Sequence, residues 1–185
     1  MKALCSLAAA LVLGAAAIPA QAFEAEFDAA PPQAIALGEI SVGPALAAKA
    51  DEYGGRDLEQ LVERMRGELE RELARIGRLA GPEAGAAVLN VVIDDATPNR
   101  PTMQQQASVT RSLDPRSVFV GGAKVSATLL DSGGATLGRF AYAWQTTPDI
   151  RQSEFATTWT DAHRTLDRFA TRLADAIAAE SDSGR

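Results

Sequence analysis

The sequence is nearly devoid of thiol and imidazole: Cys5 is the one cysteine and His163 the one histidine in 185 residues. Zinc sites built from several Cys and His ligands are therefore excluded. Aromatic residues make up only 5% of the chain. Cations are the minority charge, with 18 Lys plus Arg against 24 Asp plus Glu and a net charge of −6. That balance argues against a general nucleic-acid binder, which needs clustered cations to displace phosphate counterions. Internal repeats are missing, and only one long apolar run exists. What remains is 46% hydrophobic, enough for one folded domain and too much for a wholly disordered chain.

The single apolar run is an export signal. One cation, Lys2, precedes 15 almost unbroken apolar residues from Leu4 to Ile18, and Pro19-Ala20-Gln21-Ala22 supplies the small-x-small pattern of a cleavage site. The run falls short of the roughly 20 residues that span a bilayer, so no transmembrane segment is expected once residues 1–22 are removed. Lipid attachment needs a cysteine at the end of the run, and Cys5 lies before it. The mature chain then starts at Phe23, has no thiol, and carries 17 cations against 24 anions, a net −7. Without disulfides it depends on its core alone. The expected location is the periplasm.

After the signal, Phe23 to Gln33 is acidic and closes on Pro31-Pro32, which predicts an extended, flexible leader. A single α/β domain is expected over 34–180, with a disordered tail at 181–185. Ala34–Val42 reads as a first strand with a bulge at Gly38. From Asp57 to Leu79, Leu58, Leu61, Met65, Leu69 and Leu73 recur at three- and four-residue steps, which predicts an amphipathic helix. Asp57 is its expected cap and Gly81-Pro82 its stop; its alternating Glu and Arg residues read as a solvated face. Ala87–Asp94 is apolar on both faces, as a central strand requires, and the crossover through the helix makes it parallel to the first strand. Asn99–Arg116 shows no clear period.

Val118 to Gln145 reads as a hairpin turning at Asp131-Ser132-Gly133-Gly134. With Leu130 opposite Ala135, Val125 faces Phe140 and Ala123 faces Tyr142, while Lys124, Ser126, Thr128 and Arg139 share the other face. Thr158–Ala178 is the closing helix. Its Trp159 and Phe169 are expected against Phe140, Tyr142 and Trp144. The order predicts an α+β fold: a two-layer sandwich with a mixed, mostly antiparallel sheet and two main helices packed on one face.

Chemistry-bearing residues are few. Asp131-Ser132-Gly133-Gly134 resembles the nucleophile segment of trypsin-like serine proteases, and Thr160-Asp161-Ala162-His163 faintly resembles their histidine segment. The order of serine and histidine is reversed here, and the turn alone accounts for the motif. His163 lies at the edge of a helix stripe. Asp94-Asp95 ends a strand without the spaced acidic loop that calcium requires, and Gly121-Gly122 lacks the Lys-Ser/Thr of a phosphate loop. No catalytic, cofactor or metal residue is assigned. Asn99, Arg100, Arg139, Asp149 and Arg151 form a candidate recognition surface.

Ala96-Thr97-Pro98-Asn99-Arg100-Pro101-Thr102, Gly121-Gly122-Ala123, Leu130-Asp131 with Gly134, Trp144, Asp149-Ile150-Arg151 and Thr158–Ala162 together resemble a group of proteobacterial periplasmic or lipoprotein domains of unknown function. The likeness covers roughly Ile35 to Ile177. It implies an envelope location and an α/β domain, with no activity to carry over. The leading expectation is a non-enzymatic exported domain that binds a cell-envelope component or assists its assembly. The alternatives are a small periplasmic hydrolase, using Asp94, Asp95 or His163, and a small-ligand carrier.

Overall fold

The computed structural model describes residues 22–81, 85–108, 114, 116–145 and 156–183. The signal segment, apart from its last residue, and the Asp149–Arg151 part of the recognition surface lie outside the described residues. Six strands form one mixed sheet in the order β1-β6-β5-β4-β2-β3. They are β1 (Phe23–Phe27), β2 (Ile35–Val42), β3 (Leu79–Ala80), β4 (Ala87–Thr97), β5 (Gly122–Leu130) and β6 (Thr136–Gln145). β2 runs parallel to β3 and β4, while β4, β5, β6 and β1 pair antiparallel in succession. The helices are α1 (Pro44–Ala47), α2 (Ala50–Tyr53), α3 (Gly55–Arg75), α4 (Met103–Ala107) and α5 (Thr160–Ser183).

The two long helices pack side by side on one sheet face, as the two-layer reading requires. Period-two alternation sends Leu89, Val91 and Ile93 of β4 to that face, beside Val125 and Leu129 of β5. Met65, Leu69 and Leu73 of α3 and Leu166, Phe169 and Leu173 of α5 close over them, all fully buried. Each such side chain contributes roughly 1.5–3 kcal/mol. The bulge falls at Gly38, between Leu37 and Ile40. Asn90 fills the space beside it, its Oδ1 accepting the Glu39 N–H at 2.9 Å. A Cβ on Gly38 would come within 2.2 Å of that oxygen, so the bulge needs glycine.

Several expectations need correction. Phe23–Phe27 is no tether but the edge strand β1, paired with β6. Phe-Glu-Ala-Glu-Phe alternates, and its apolar face is used: the Phe23 ring lies 6.2 Å from Phe169 and Phe27 lies 5.3 Å from Phe140. The sheet thus includes β1, and α5 continues into the expected tail as far as Ser183.

The first long helix ends at Arg75, earlier than periodicity suggests. Gly77, at φ +69°, lets Arg78 N–H reach Leu73 O at 2.9 Å and Gly77 N–H reach Ala74 O at 3.0 Å, a Schellman stop. Leu79 is then free to join β3. Asp57 lies in the first turn of α3, and the capping position belongs to Gly54.

The hairpin turns where expected, but its register differs by two. Asp131 Oδ1 accepts the N–H groups of Gly133 and Ala135, both at 2.8 Å. An irregularity between Leu129 and Leu130 then pairs Val125 with Tyr142 and Ala127 with Phe140. A shift of two preserves the faces, so the core composition stands while the partners change. Trp159 packs edge-on against Tyr53 at 5.6 Å, a partner the sequence pattern does not suggest. Trp144 is instead covered by the Arg168 guanidinium, 4.5 Å from the ring.

The charged face of α3 is more than a solvated surface. Glu68 and Glu72 are buried. Arg64 holds both Glu68 and Asp167 at 2.9 Å, and Arg75 bonds Glu72 at 2.7 Å and Asp175 at 2.6 Å, so the charges line the seam between α3 and α5.

Candidate functional site

Several chain segments meet where β4 ends and α5 begins. Beyond Thr97 the chain turns inward, and Asn99 becomes a buried tie. Its Nδ2 donates to Asp161 Oδ2, and its Oδ1 accepts the Asp161 N–H at 2.8 Å. Its own N–H bonds Thr158 O at 2.7 Å, and its carbonyl accepts the Phe119 N–H at 2.8 Å. One side chain thus satisfies a donor at the start of α5, a position that helices leave unpaired, from 62 residues away. Gly121 makes room for it, since a Cβ there would lie 2.5 Å from the Asn99 amide.

The neighbouring polar groups are also engaged. Arg100 Nε donates to Ala156 O at 2.5 Å. Thr102 and Gln105 form a reciprocal capping box on α4, and Gln105 Nε2 donates onward to Glu52 of α2 at 2.9 Å. Lys49 Nζ lies 2.6 Å from Asp95 and 5.7 Å from the Tyr53 ring centre. Burial raises the Tyr53 hydroxyl pKa above its ordinary value, which the Lys49 charge partly offsets.

Four large apolar side chains that follow or bond to this scaffold are exposed. Met103 is 79% exposed, Val118 42%, Phe119 38% and Val120 39%. Val118–Val120 lie outside the hairpin ladder expected from Val118 onward, because β5 begins only at Gly122. A Cβ on Gly122 would come within 2.2 Å of Trp144 O, so the close pairing starts there, and the three residues before Gly121 stay outside the ladder. Three consecutive β-prone apolar residues between Ser117 and Gly121 are the signal that could have marked this surface.

Of the expected recognition residues, Asn99, Arg100 and Arg139 are described, and Arg139 lies apart from the other two. Asn99 is buried and structural. Arg139 pairs with Asp28 at 2.9 Å. It lies opposite Thr128, which itself faces Asn90, seven positions before Thr97 and so about 20 Å from the apolar surface.

The hydrolytic candidates separate in the same way. Ser132 sits in the exposed hairpin turn beyond Leu130, which pairs with Val88 near the start of β4. His163 lies two residues past Asp161, which is tied beyond the end of β4. The strand length between them sets Ser132 and His163 about 25 Å apart, far beyond hydrogen-bond reach. Burial, aided by Arg64, holds the half-buried His163 imidazole below its ordinary 6.5.

Asp94 accepts a hydrogen bond from Ser126, although burial raises its pKa, while Asp95 is held by Lys49. The two carboxylates serve different partners. Among the described residues no group of three or more His, Cys, Asp or Glu side chains is placed to hold a metal ion, and no helix is long and apolar enough to cross a membrane. One further hollow, about 320 Å³, lies between α1 and α3; Val42, Ala47, Ala50, Leu58 and Val62 line it, with Glu59 and Glu63 beside them.

No family model matches the chain, and no curated protein matches it. Among solved structures it is similar to the PelC dodecamer protein of Paraburkholderia phytofirmans, at 11% identity over 85% of this chain and 98% of that one, with a TM-score of 0.46. A minor lipoprotein of Acinetobacter baumannii gives 17% identity, 80% and 93% coverage and a TM-score of 0.39. A DUF330 protein of Xanthomonas campestris gives 14%, 86%, 97% and 0.38. Likenesses this distant bring no function to the chain.

Proposed function

We propose that the chain is an exported, non-enzymatic α+β domain that binds another component of the cell envelope, and that it binds through the apolar surface of Met103 and Val118–Val120. One observation carries the reading. Five large apolar residues stand exposed among the described residues: Val118–Val120 are consecutive and Phe119 is bonded to Asn99, Met103 follows Asn99 by four positions, and the fifth, Leu79, is in β3. Apolar side chains so concentrated mark a contact surface more often than chance exposure. The polar groups beneath hold the elements in place, which suits a rigid platform for docking. The separation of Ser132 from His163, and of the Asp94 and Asp95 partners, supports a role without catalysis.

A photo-crosslinking side chain at Phe119, in cells exporting the protein, tests the binding surface. Adducts are expected at Phe119 and not at exposed Ser132; no adduct at Phe119 or Met103 overturns the reading. An ester, peptide and phosphoester panel tests the remainder. Turnover that disappears in Ser132→Ala or His163→Ala would show an enzyme instead.

A further inference from the structure

We propose that the component seated on this surface is a second copy of the chain, docked head to tail, with Arg116 and Val118–Val120 of one copy on the acidic hollow between α1 and α3 of the next. The inference rests on the binding reading above, since it uses the same apolar surface and names its partner.

The hollow is built for such a segment. Its apolar lining comes from the end of β2, from α1 and α2, and from the first two turns of α3. Glu59 and Glu63 stand on its margin, both exposed and one helical turn apart. Like charges at that spacing repel. Farther along the same helix, Glu68 and Glu72 are each held by two arginines. Glu59 and Glu63 have no such cation among the described residues, so a guanidinium arriving from outside would relieve both.

The complementary surface offers one. Arg116 is exposed and forms no salt bridge among the described residues; its backbone N–H is fixed by Asp114 Oδ1 at 2.8 Å. Two residues on, Val118, Phe119 and Val120 present a ring between two branched side chains. A hollow of about 320 Å³ has room for that ring and a neighbour, and the cation leads the apolar triplet as the glutamates flank the apolar lining. Within one copy the two surfaces are not joined, because Phe119 remains exposed and is tied to Asn99. Two different surfaces on one chain make a heterologous contact, which extends beyond two copies. The contact is small, so association belongs to the weak, concentration-dependent class.

Sedimentation of the processed chain, expressed from the full sequence and purified from the periplasm, tests this between about 1 and 300 μM, the range that spans weak affinities. The average mass should rise with concentration and pass the dimer. Phe119→Ser should remain monomeric, and so should the Glu59→Lys, Glu63→Lys double variant. All three positions are exposed, and urea midpoints equal to wild type verify their folds. Mixed together, the two variants should give a one-to-one dimer and nothing larger, because each retains the surface that the other has lost.

A monomeric wild type overturns the inference. So does a mass that stops at the dimer, or a double glutamate variant that associates like wild type. Phe119 adducts to a different envelope protein, or Phe119-dependent uptake of a monomeric wild type by phosphatidylglycerol vesicles, would reassign the occupant and leave the binding reading standing. Absence of any Phe119 adduct removes both.

Discussion

Replacing Asn99 with alanine is the sharpest test of how the two halves of the domain are joined. The substitution removes the donor to Asp161 Oδ2 and the acceptor for Asp161 N–H. The Asp161 side chain is 4% exposed, and its remaining partner is Arg164 at 3.2 Å. A hydrogen bond to a charged group contributes about 1.5–3 kcal/mol, and an orphaned buried amide costs about 1–3 kcal/mol. These overlap, because both act on one residue, so about 3 kcal/mol of destabilisation is expected. In a domain of this size that lowers Tm by about 6–12 °C. Urea unfolding should show a lower midpoint with an unchanged slope. Arg139→Ala, which breaks an exposed ion pair, is the control and should cost no more than about 1 kcal/mol. A change below about 0.5 kcal/mol in Asn99→Ala would refute the tie and return Asn99 to the surface.

Asn99→Asp adds a sign to the same test. Two carboxylates within hydrogen-bond distance share a proton, which raises the folded-state pKa of the pair above that of the unfolded chain. Stability is then present at low pH and lost as pH rises through the raised value. The variant should therefore lie closest to wild type near pH 4 and fall away toward pH 7.

Phe169→Ala should cost about 3–5 kcal/mol in urea unfolding, since the ring is fully buried against Phe23 and its neighbours; an unchanged midpoint would misplace that face of α5. Ser132→Ala should change stability by at most about 0.5 kcal/mol, whereas Asp131→Ala loses both turn bonds and should cost about 1–2 kcal/mol; the reverse ranking would overturn the turn geometry. His163 is held below 6.5 by burial and by Arg64, against the opposing pull of Asp167 and Glu68. Its unfolded form therefore takes up a proton first as pH falls, and stability should drop below about pH 6.5. Midpoints against pH should show that drop reduced in His163→Gln, and an identical profile would sink the assignment.

Much of the fold was legible because apolar spacing reports burial directly. The stripes of α3 and α5, the bulge at Gly38, the parallel crossover and the Asp131 turn all follow from local pattern. Charge misled where pattern was correct. Glu24 and Glu26 made Phe23–Phe27 look solvated, yet the same five residues alternate, and the two phenylalanines complete the core over Phe140 and Phe169. Helix ends were misjudged for a related reason. Gly81-Pro82 is the louder stop in the sequence, but Gly77 is the residue whose backbone reaches the left-handed region.

The exposed apolar triplet Val118–Val120 was hidden by the long reach of the interactions that create it. Asn99, in a polar stretch with Arg100, has the composition of an exposed loop. Nothing nearby in sequence announces that its amide will be buried against Asp161, or that Gly121 leaves the space it occupies. Once Asn99 turns inward, its carbonyl holds Phe119 beside the sheet rather than in it, and Val118–Val120 lose the strand neighbours that would have covered them. The exposed apolar triplet is thus a consequence of the buried polar tie. A substitution that loosens Asn99 should disturb binding at Phe119 even though Asn99 itself is out of a partner's reach.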